Sequence, residues 1–544
     1  MDFVDDLDLE LAWRKTKKDL NDHMNSFTDS PYVIDILDRN TDEWIEELRN
    51  ALNNGEYEPK SVRIVNVPKN NYHLRPASVL HPKDIVVYSS YILEVYSKIK
   101  DEMQWSGNRC RYSHILLDDK SKSNRWQKFE KGHWRDLQQQ KITHAENSSY
   151  VLETDVSGYY ENIDIERLIS IFRQFTERTE IAHCLWDILQ PWAEPRKRGI
   201  PQGYGASDIL AEIYLDGIDR RLSNSGFTHV RYNDDFTVFC GSHDSAIQAQ
   251  NLLERLFRSR GLNMKTGKTR IRTAEDAIEA YNEPESKFAE LRERISSADK
   301  EGMSEADYLR SGFPPEFVTY SSSEENEEAE PDEEVEANEE TEVEVWERGY
   351  SKYIDGVPFS ELDTHLFRYV IRNLGDVGSY IGVKYCIEYI LEGYADVRQI
   401  LNRYFKKLPV KEGIVRRLAD AIIRNEIRYS YHEFALLRWF YEIDHIGPKV
   451  VHAARTVLSR ESSLIESRDY AIAILGEHGD YSDWEQIEML YSQELRPQSK
   501  AIIAYAIRGF EPKHRGRFYN RMDVSPQLVR YSIECAKSDA PEFS

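Results

Sequence analysis

Val230-Arg231-Tyr232-Asn233-Asp234-Asp235-Phe236-Thr237-Val238-Phe239 is the stretch on which the reading of this chain turns. Two adjacent carboxylates stand between two short runs of β-formers. Asn233 tolerates positive φ, so a tight turn there folds the stretch into a β-hairpin. The turn brings Asp234 and Asp235 to the tip, side by side and facing outward. Two like charges held that close repel, and the arrangement becomes useful with a cation. Magnesium suits it, because it takes hard carboxylate oxygens and keeps places open for water and phosphate. An Asn-Asp-Asp turn also serves as a plain connection between strands, so the rest of the chain decides.

The chain has 544 residues, long enough for two or more domains and a sizeable core. It is rich in aromatics, at 12%, with 33 tyrosines. A net charge of −24 argues against a nucleic-acid partner, but the charge is uneven. Glu324 to Glu347 holds 14 acids and no base; without them the net charge is −10. Local basic clusters therefore weigh more than the total. Five cysteines (Cys110, Cys184, Cys240, Cys386, Cys535) are scattered without a CxxC pair or zinc spacing, which fits a reduced compartment. The start, Met1-Asp2-Phe3-Val4-Asp5-Asp6, lacks the basic and apolar parts of a signal peptide. No run reaches bilayer-crossing length. The expectation is a soluble, cytoplasmic protein without a membrane partner.

Residues 7–60 read as polar helices, and residues 63–76 as strand, turn and strand, with Lys69 and Arg75 bracketing the turn. A cationic hairpin can hold a triphosphate by charge-assisted hydrogen bonds, or be an exposed basic turn. Residues 82–105 read as one helix. Residues 118–141, polar with Lys, Arg, Gln and Trp, read either as a nucleic-acid contact or as a solvated insertion. Val151-Leu152-Glu153-Thr154-Asp155-Val156 is a strand that ends in an acid, where a carboxylate can meet a ligand at a sheet edge. Arg196-Lys197-Arg198-Gly199-Ile200-Pro201-Gln202-Gly203 is a basic, glycine-bearing loop that leads into an apolar helix. Gly261-Leu262 opens a turn and a strand carrying Lys265, Lys268 and Arg270.

The acidic segment 321–350 cannot bury enough surface to fold and is expected to be a disordered linker. From 351 to 544 the pattern is helical, with Leu366, Val370 and Leu374 on one face and Ile414, Leu418 and Ile422 on another. Ala471-Ile472-Ala473-Ile474-Leu475-Gly476 resembles Ala504-Tyr505-Ala506-Ile507-Arg508-Gly509 at an offset of 33 residues, a period of stacked helix pairs. A plain helical bundle remains the alternative.

Taken in order, Thr154-Asp155-Val156-Ser157-Gly158-Tyr159-Tyr160, Gly199-Ile200-Pro201-Gln202-Gly203, Tyr232-Asn233-Asp234-Asp235, and Gly261-Leu262 with Lys268-Thr269 resemble the palm motifs of the reverse-transcriptase family, over about residues 10–290. The resemblance implies an α+β right-hand polymerase, fingers and palm in 1–320, followed by an all-α, HEAT-like helical-repeat domain in 351–544. It implies that Asp155, Asp234 and Asp235, with the Val156 carbonyl, hold two Mg2+ ions, with Mn2+ as a substitute. It gives Tyr160 the place of an aromatic gate against a ribose 2′-hydroxyl, and lines the template and nucleotide pocket with Gln202 and Gly203. It sets Lys69 and Arg75 on the incoming triphosphate, and makes Lys268 the acid that protonates pyrophosphate. The implied partners are dNTPs, an RNA template or non-coding RNA, and a DNA product, with priming from a protein tyrosine in some members. A homo-oligomer through the helical domain stays open. Two departures touch the template side: Tyr204-Gly205-Ala206 stands where Ser-Pro is common, and Asn233 where a small or apolar residue is common.

No maturase-like or nuclease module follows the palm, and no clear Val-Thr-Gly element is found. A solitary enzyme with a helical C-terminal half resembles the bacterial abortive-infection and defence-associated reverse transcriptases, whose implied role is anti-phage. The alternatives are a retron-type or other reverse transcriptase copying a dedicated non-coding RNA, and an inactive RNA-binding scaffold. A palm-fold cyclase is disfavoured by the lack of a Gly-Gly-Asp/Glu-Glu-Phe sequence.

Overall fold

The computed structural model describes residues 3–23, 29–69, 72–104, 110–128, 133–193, 195–282, 335–443, 446–494 and 496–540. The chain divides into two units: Met1–Asp22, Leu48–Ile64 and Ala77–Arg310 form the first, and His23–Glu47, Val65–Pro76 and Ser311–Ser544 the second. Among the described residues, no helix is long and apolar enough to cross a membrane.

The first unit is built on a four-stranded antiparallel sheet. Its strands are β3 (Tyr150–Asp155), β4 (Thr228–Tyr232), β5 (Asp235–Cys240) and β6 (Arg270–Thr273), in the order β4-β5-β3-β6; β1 (Arg63–Pro68) and β2 (Leu74–Val79) pair separately. Both faces of the central strands are covered, which is why they read as apolar runs rather than alternations. One face packs Val151, Val230 and Phe239 against Tyr112, Leu137 and Ala145. On the other, Phe236 meets Phe257 of the helix His243–Ser259 at 5.4 Å between ring centres. The helix Gly205–Asn224 lies alongside, buried along most of its length. The expected single helix over 82–105 is two, Pro82–Glu94 and Tyr96–Met103, divided at Val95.

Two expectations for domain boundaries give way. The division does not fall at residue 320, because polar contacts from the N-terminal residues belong to the second unit. Asp29 pairs with Arg438 at 3.2 Å and accepts from the Tyr470 hydroxyl at 3.0 Å. Tyr32 donates to Glu477 at 2.9 Å, and Arg39 pairs with Asp539 at 2.6 Å. Nor is 321–350 a linker throughout. Residues 321–334 lie outside the described residues, but Val335–Tyr353 is a helix. Val345, Trp346 and Tyr350 give it a buried stripe that the acid count concealed.

From residue 335 onward the regular structure of the second unit is helical among the described residues, as its periodicity requires. The helix Ile465–His478 packs on Ser430–Glu442 and on Pro497–Ala506, and Pro497–Ala506 packs on Gln527–Ser538. The two matched segments lie against each other. A Cβ on Gly476 would come within 2.7 Å of the Ala506 carbonyl oxygen, and one on Gly509 within 3.2 Å of the Gly476 carbonyl oxygen.

Candidate active site

The hairpin forms around a two-residue turn. Tyr232 pairs with Asp235, and Asn233 adopts φ 52° in the turn, the conformation its side chain tolerates. Strand β3 runs antiparallel to β5, and its register sets Asp155 directly across from Asp235. Acids from two stretches distant in sequence thus meet at one end of the sheet. The Asp155 and Asp234 carboxyls lie close enough for Asp234 to influence the ionisation of Asp155. Lys268 approaches Asp155 at 2.9 Å and Asp235 at 3.9 Å, and Lys265 reaches Asp155 at 3.3 Å. Burial alone pushes the Asp155 carboxyl up, but Lys268, Asp234 and Lys265 outweigh it and hold the group below the usual carboxylate range. Lys268 is raised in turn: burial acts against its charge, and Asp235, Asp155 and Asp234 prevail.

Met264 bridges Val156, with Lys265 donating to the Asp155 carbonyl at 2.8 Å and Ser157 to the Asn263 carbonyl at 2.8 Å. These bonds leave the Val156 carbonyl out of the bridge. The donor set of Asp155, Asp234, Asp235 and this carbonyl is all oxygen, and suits a hard divalent cation. A second cluster, Cys110, Asp219 and His229, has ligand atoms within 4.8 Å of one another. It is a poor cation site, because both Asp219 oxygens are taken by the Arg231 guanidinium.

The loop at Gly199–Gly203 is fastened beside this centre. Gly199 donates to the Ile163 carbonyl at 2.8 Å and Ile200 to the Tyr160 carbonyl at 3.0 Å. Gly203, at φ 92°, lets the chain turn into the helix Gly205–Asn224, and both it and Gln202 are half-buried. Tyr160 is buried, and its hydroxyl donates to Asp208 on that helix at 2.8 Å. Burial, then the Asp208 charge, push this phenol well above its ordinary value. The departure at Gly205 has a packing cause. A Cβ there would lie 2.0 Å from Trp126, whose indole N–H donates to Asp19 at 3.0 Å, as does the Gly205 N–H.

Beneath the hairpin lies a network that the sequence reading did not assign. Arg231 is fully buried and pairs with Asp219 at 2.7 Å and Glu212 at 2.8 Å. It also donates to the Asn233 carbonyl at 2.6 Å. Ser113 accepts from the Asn233 N–H at 2.7 Å and donates to Glu212 at 2.8 Å. The turn is thus gripped on both its polar groups. His114 contacts Glu212 at 3.1 Å and Asp208 at 3.7 Å. The legible signal was Glu212, Asp216 and Asp219, acids at helical spacing on an otherwise apolar helix.

Lys69 and Arg75 belong to the second unit, outside the set that the first unit gathers. Their hairpin closes as expected, with the Lys69 N–H donating to the His73 carbonyl at 2.7 Å.

Residues 68–309 match the family model described as reverse transcriptase (RNA-dependent DNA polymerase). Protein YkfC of Escherichia coli (strain K12) is 23% identical over 195 residues, 35% of this chain and 46% of that protein. The retron Ec86 reverse transcriptase of Escherichia coli is 23% identical over 128 residues, 23% of this chain and 38% of that protein. The chain spans less than half the length of either relative. A structure of telomerase from Candida albicans with a telomeric RNA fragment is 12% identical, with 72% of this chain and 65% of that chain covered and a TM-score of 0.32. Over residues 68–309, fewer than half of its 544, the chain is similar to the reverse-transcriptase family.

Proposed function

We propose that this chain is a DNA polymerase, RNA-directed or template-independent, that adds deoxynucleotides at its β3/β5 acids. The observation that carries the reading is the meeting of Asp155 with Asp234 and Asp235 at the sheet end. In this reaction the 3′-hydroxyl oxygen bonds to the α-phosphorus, the bond to the pyrophosphate oxygen breaks, and the hydroxyl proton passes to solvent water. The protein's task is to position groups and balance developing charge. Asp155, Asp234 and Asp235, with the Val156 carbonyl, would hold two Mg2+ or Mn2+ ions. Such ions, when bound, activate the hydroxyl and stabilise the leaving oxygen.

The remaining roles fall to side chains. Lys268, which pairs with Asp155 and Asp235, would move toward pyrophosphate and give it a proton. Tyr160, held by Asp208, is the ring against which a ribose 2′-hydroxyl would collide. Gln202 and Gly203 line the template and nucleotide pocket, and Lys69 and Arg75 meet the triphosphate. The chain works with an RNA template or non-coding RNA, in the cytoplasm, and its DNA product is primed from a nucleic acid or a protein tyrosine. Its helical unit, built as HEAT-like repeats, offers a surface for oligomerisation. Its biological role is anti-phage defence of the abortive-infection kind.

Incorporation of labelled dNTPs by the intact protein, with Asp234→Ala as control, tests the activity. Label incorporated by the parent and absent in the variant supports it. Equal signals in both, or none under any primer and template, refute it. A phage plating assay on cells carrying either form tests the defence role, which fails if plating efficiency is equal. The similarity to the retron Ec86 reverse transcriptase favours one second reading, the copying of a dedicated non-coding RNA. Sequencing the nucleic acid that co-purifies, with and without protease, separates the two. One RNA species supports the second reading, and DNA freed only by protease supports protein priming.

A further inference from the structure

The second unit presents a basic ledge far in sequence from the palm motifs. Arg403 to Arg417 holds six cations (Arg403, Lys406, Lys407, Lys411, Arg416, Arg417) against one acid, Glu412, in a chain of net charge −24. Two loops build the ledge. The Tyr380 hydroxyl accepts from the Val410 N–H at 2.6 Å and donates to the Val410 carbonyl at 3.2 Å. From inside, the Tyr404 hydroxyl accepts from the Gly382 N–H at 3.1 Å and donates to the Ser379 carbonyl at 2.8 Å. Ser379 donates to Glu347 at 2.6 Å, and Lys407 pairs with Asp376. Every turn of the loop 379–382 is therefore tied down.

What this rigid ledge displays is apolar. Tyr380 is 44% exposed, Ile381 40% and Val410 67%. Fixed apolar groups gathered in one exposed place mark a binding surface more often than a solvated one. Lys406 and Lys411 flank Val410, and Arg416 is exposed one turn into the next helix, Glu412–Ile423. A held aromatic ring beside lysines and arginines matches the chemistry of a single nucleic-acid strand: a π-face for a base and cations for its phosphates. An acidic protein partner would match the cations but make poor use of the ring.

We propose that this ledge binds single-stranded nucleic acid, with a base on Tyr380 and the backbone along Lys406, Lys411 and Arg416. The ledge residues belong to the second unit, and the proposal does not depend on catalysis. The test therefore uses the full chain carrying Asp234→Ala. Fluorescence anisotropy measures its affinity for labelled single-stranded RNA, with single-stranded DNA in a parallel arm, across a salt series. Replacing Lys406, Lys411 and Arg416 by Glu is expected to weaken binding at least tenfold and to flatten the salt dependence by about two units of slope. Tyr380→Ala, which removes the ring, is expected to weaken it by about tenfold. Tyr380→Phe keeps the ring but not its two hydrogen bonds, and should fall between. All these side chains are exposed or half-exposed, and matched far-UV circular dichroism and melting curves check that the variants fold. Unchanged affinity and salt slope in the triple variant overturn the proposal. So does sedimentation showing that Tyr380→Ala dissociates a dimer without altering nucleic-acid binding, which would make the ledge a self-association face.

Discussion

Arg231→Ala is the change that separates structural from chemical roles in the first unit most sharply. The guanidinium is fully buried between Glu212 and Asp219, at 2.8 and 2.7 Å, and caps the Asn233 carbonyl at 2.6 Å. Truncation removes the main counter-charge of two buried carboxylates, leaving His114 beside Glu212 at 3.1 Å and His229 beside Asp219 at 3.3 Å. Breaking a buried pair by removing one partner costs about 3–5 kcal/mol, because an uncompensated charge stays inside. The same rule predicts that removing the whole network costs far less. The triple change Arg231→Met with Glu212→Gln and Asp219→Asn should therefore recover about half of that loss or more. Urea unfolding followed by tryptophan fluorescence reads both units, the first through residues that include Trp13, Trp126, Trp186 and Trp192 and the second through Trp44, Trp346, Trp439 and Trp484, so the transition that moves among these variants is the first unit's. The expected order of midpoints is parent, then triple variant, then Arg231→Ala. A triple variant no more stable than the single one would refute the argument that uncompensated charge, rather than lost packing, sets the cost. The hairpin tip gives a second readout, since the variant also loses its hold on the Asn233 carbonyl while Ser113 keeps the N–H.

Other consequences follow from the same geometry. Asp208→Ala should release the Tyr160 ring and raise ribonucleotide relative to deoxynucleotide incorporation about tenfold, the worth of one charge-assisted hydrogen bond; Tyr160→Phe should do the same, and the double variant no more. If Tyr160→Ala alters the ratio and Asp208→Ala does not, the ring discriminates without its tether. Gly205→Ala would set a Cβ 2.0 Å from Trp126 and should cost about 1–3 kcal/mol, partly recovered by Trp126→Phe; an unchanged melting temperature would contradict that packing. Acid should act through Glu212. Burial pushes it up, but the Arg231 charge and His114 lower it from 4.5 to about 2, so its contribution is full above about pH 4.5 and lost as pH falls toward 2. Glu212→Gln should therefore flatten the fall in stability over that window, and an identical acid profile would argue against a depressed carboxyl.

The palm was legible because its signals are local. Asn233 in a two-residue turn, an acid at the end of β3 and glycines in the loop each follow from short-range geometry. The family resemblance implied that Asp155 and the hairpin acids share one site, but not the antiparallel register that puts Asp155 across from Asp235, since no periodicity in the chain encodes which strands pair. What stayed hidden was long-range. Asp29, Tyr32 and Arg39 read as ordinary polar residues because their partners, Arg438, Glu477 and Asp539, lie some 400 residues or more away in the chain. Residues 335–350 read as linker because net charge outweighed a sparse stripe of Val345, Trp346 and Tyr350. Lys265 was passed over in favour of Lys268, although both reach Asp155.

The central claim is that Asp155, Asp234 and Asp235 form one divalent-cation cradle. Mn2+ binding to the intact protein, followed by electron paramagnetic resonance with and without a dNTP, tests it most directly. The account predicts bound Mn2+ whose signal responds to the dNTP, and its loss in both Asp155→Asn and Asp234→Asn. Binding unchanged by either substitution would contradict it.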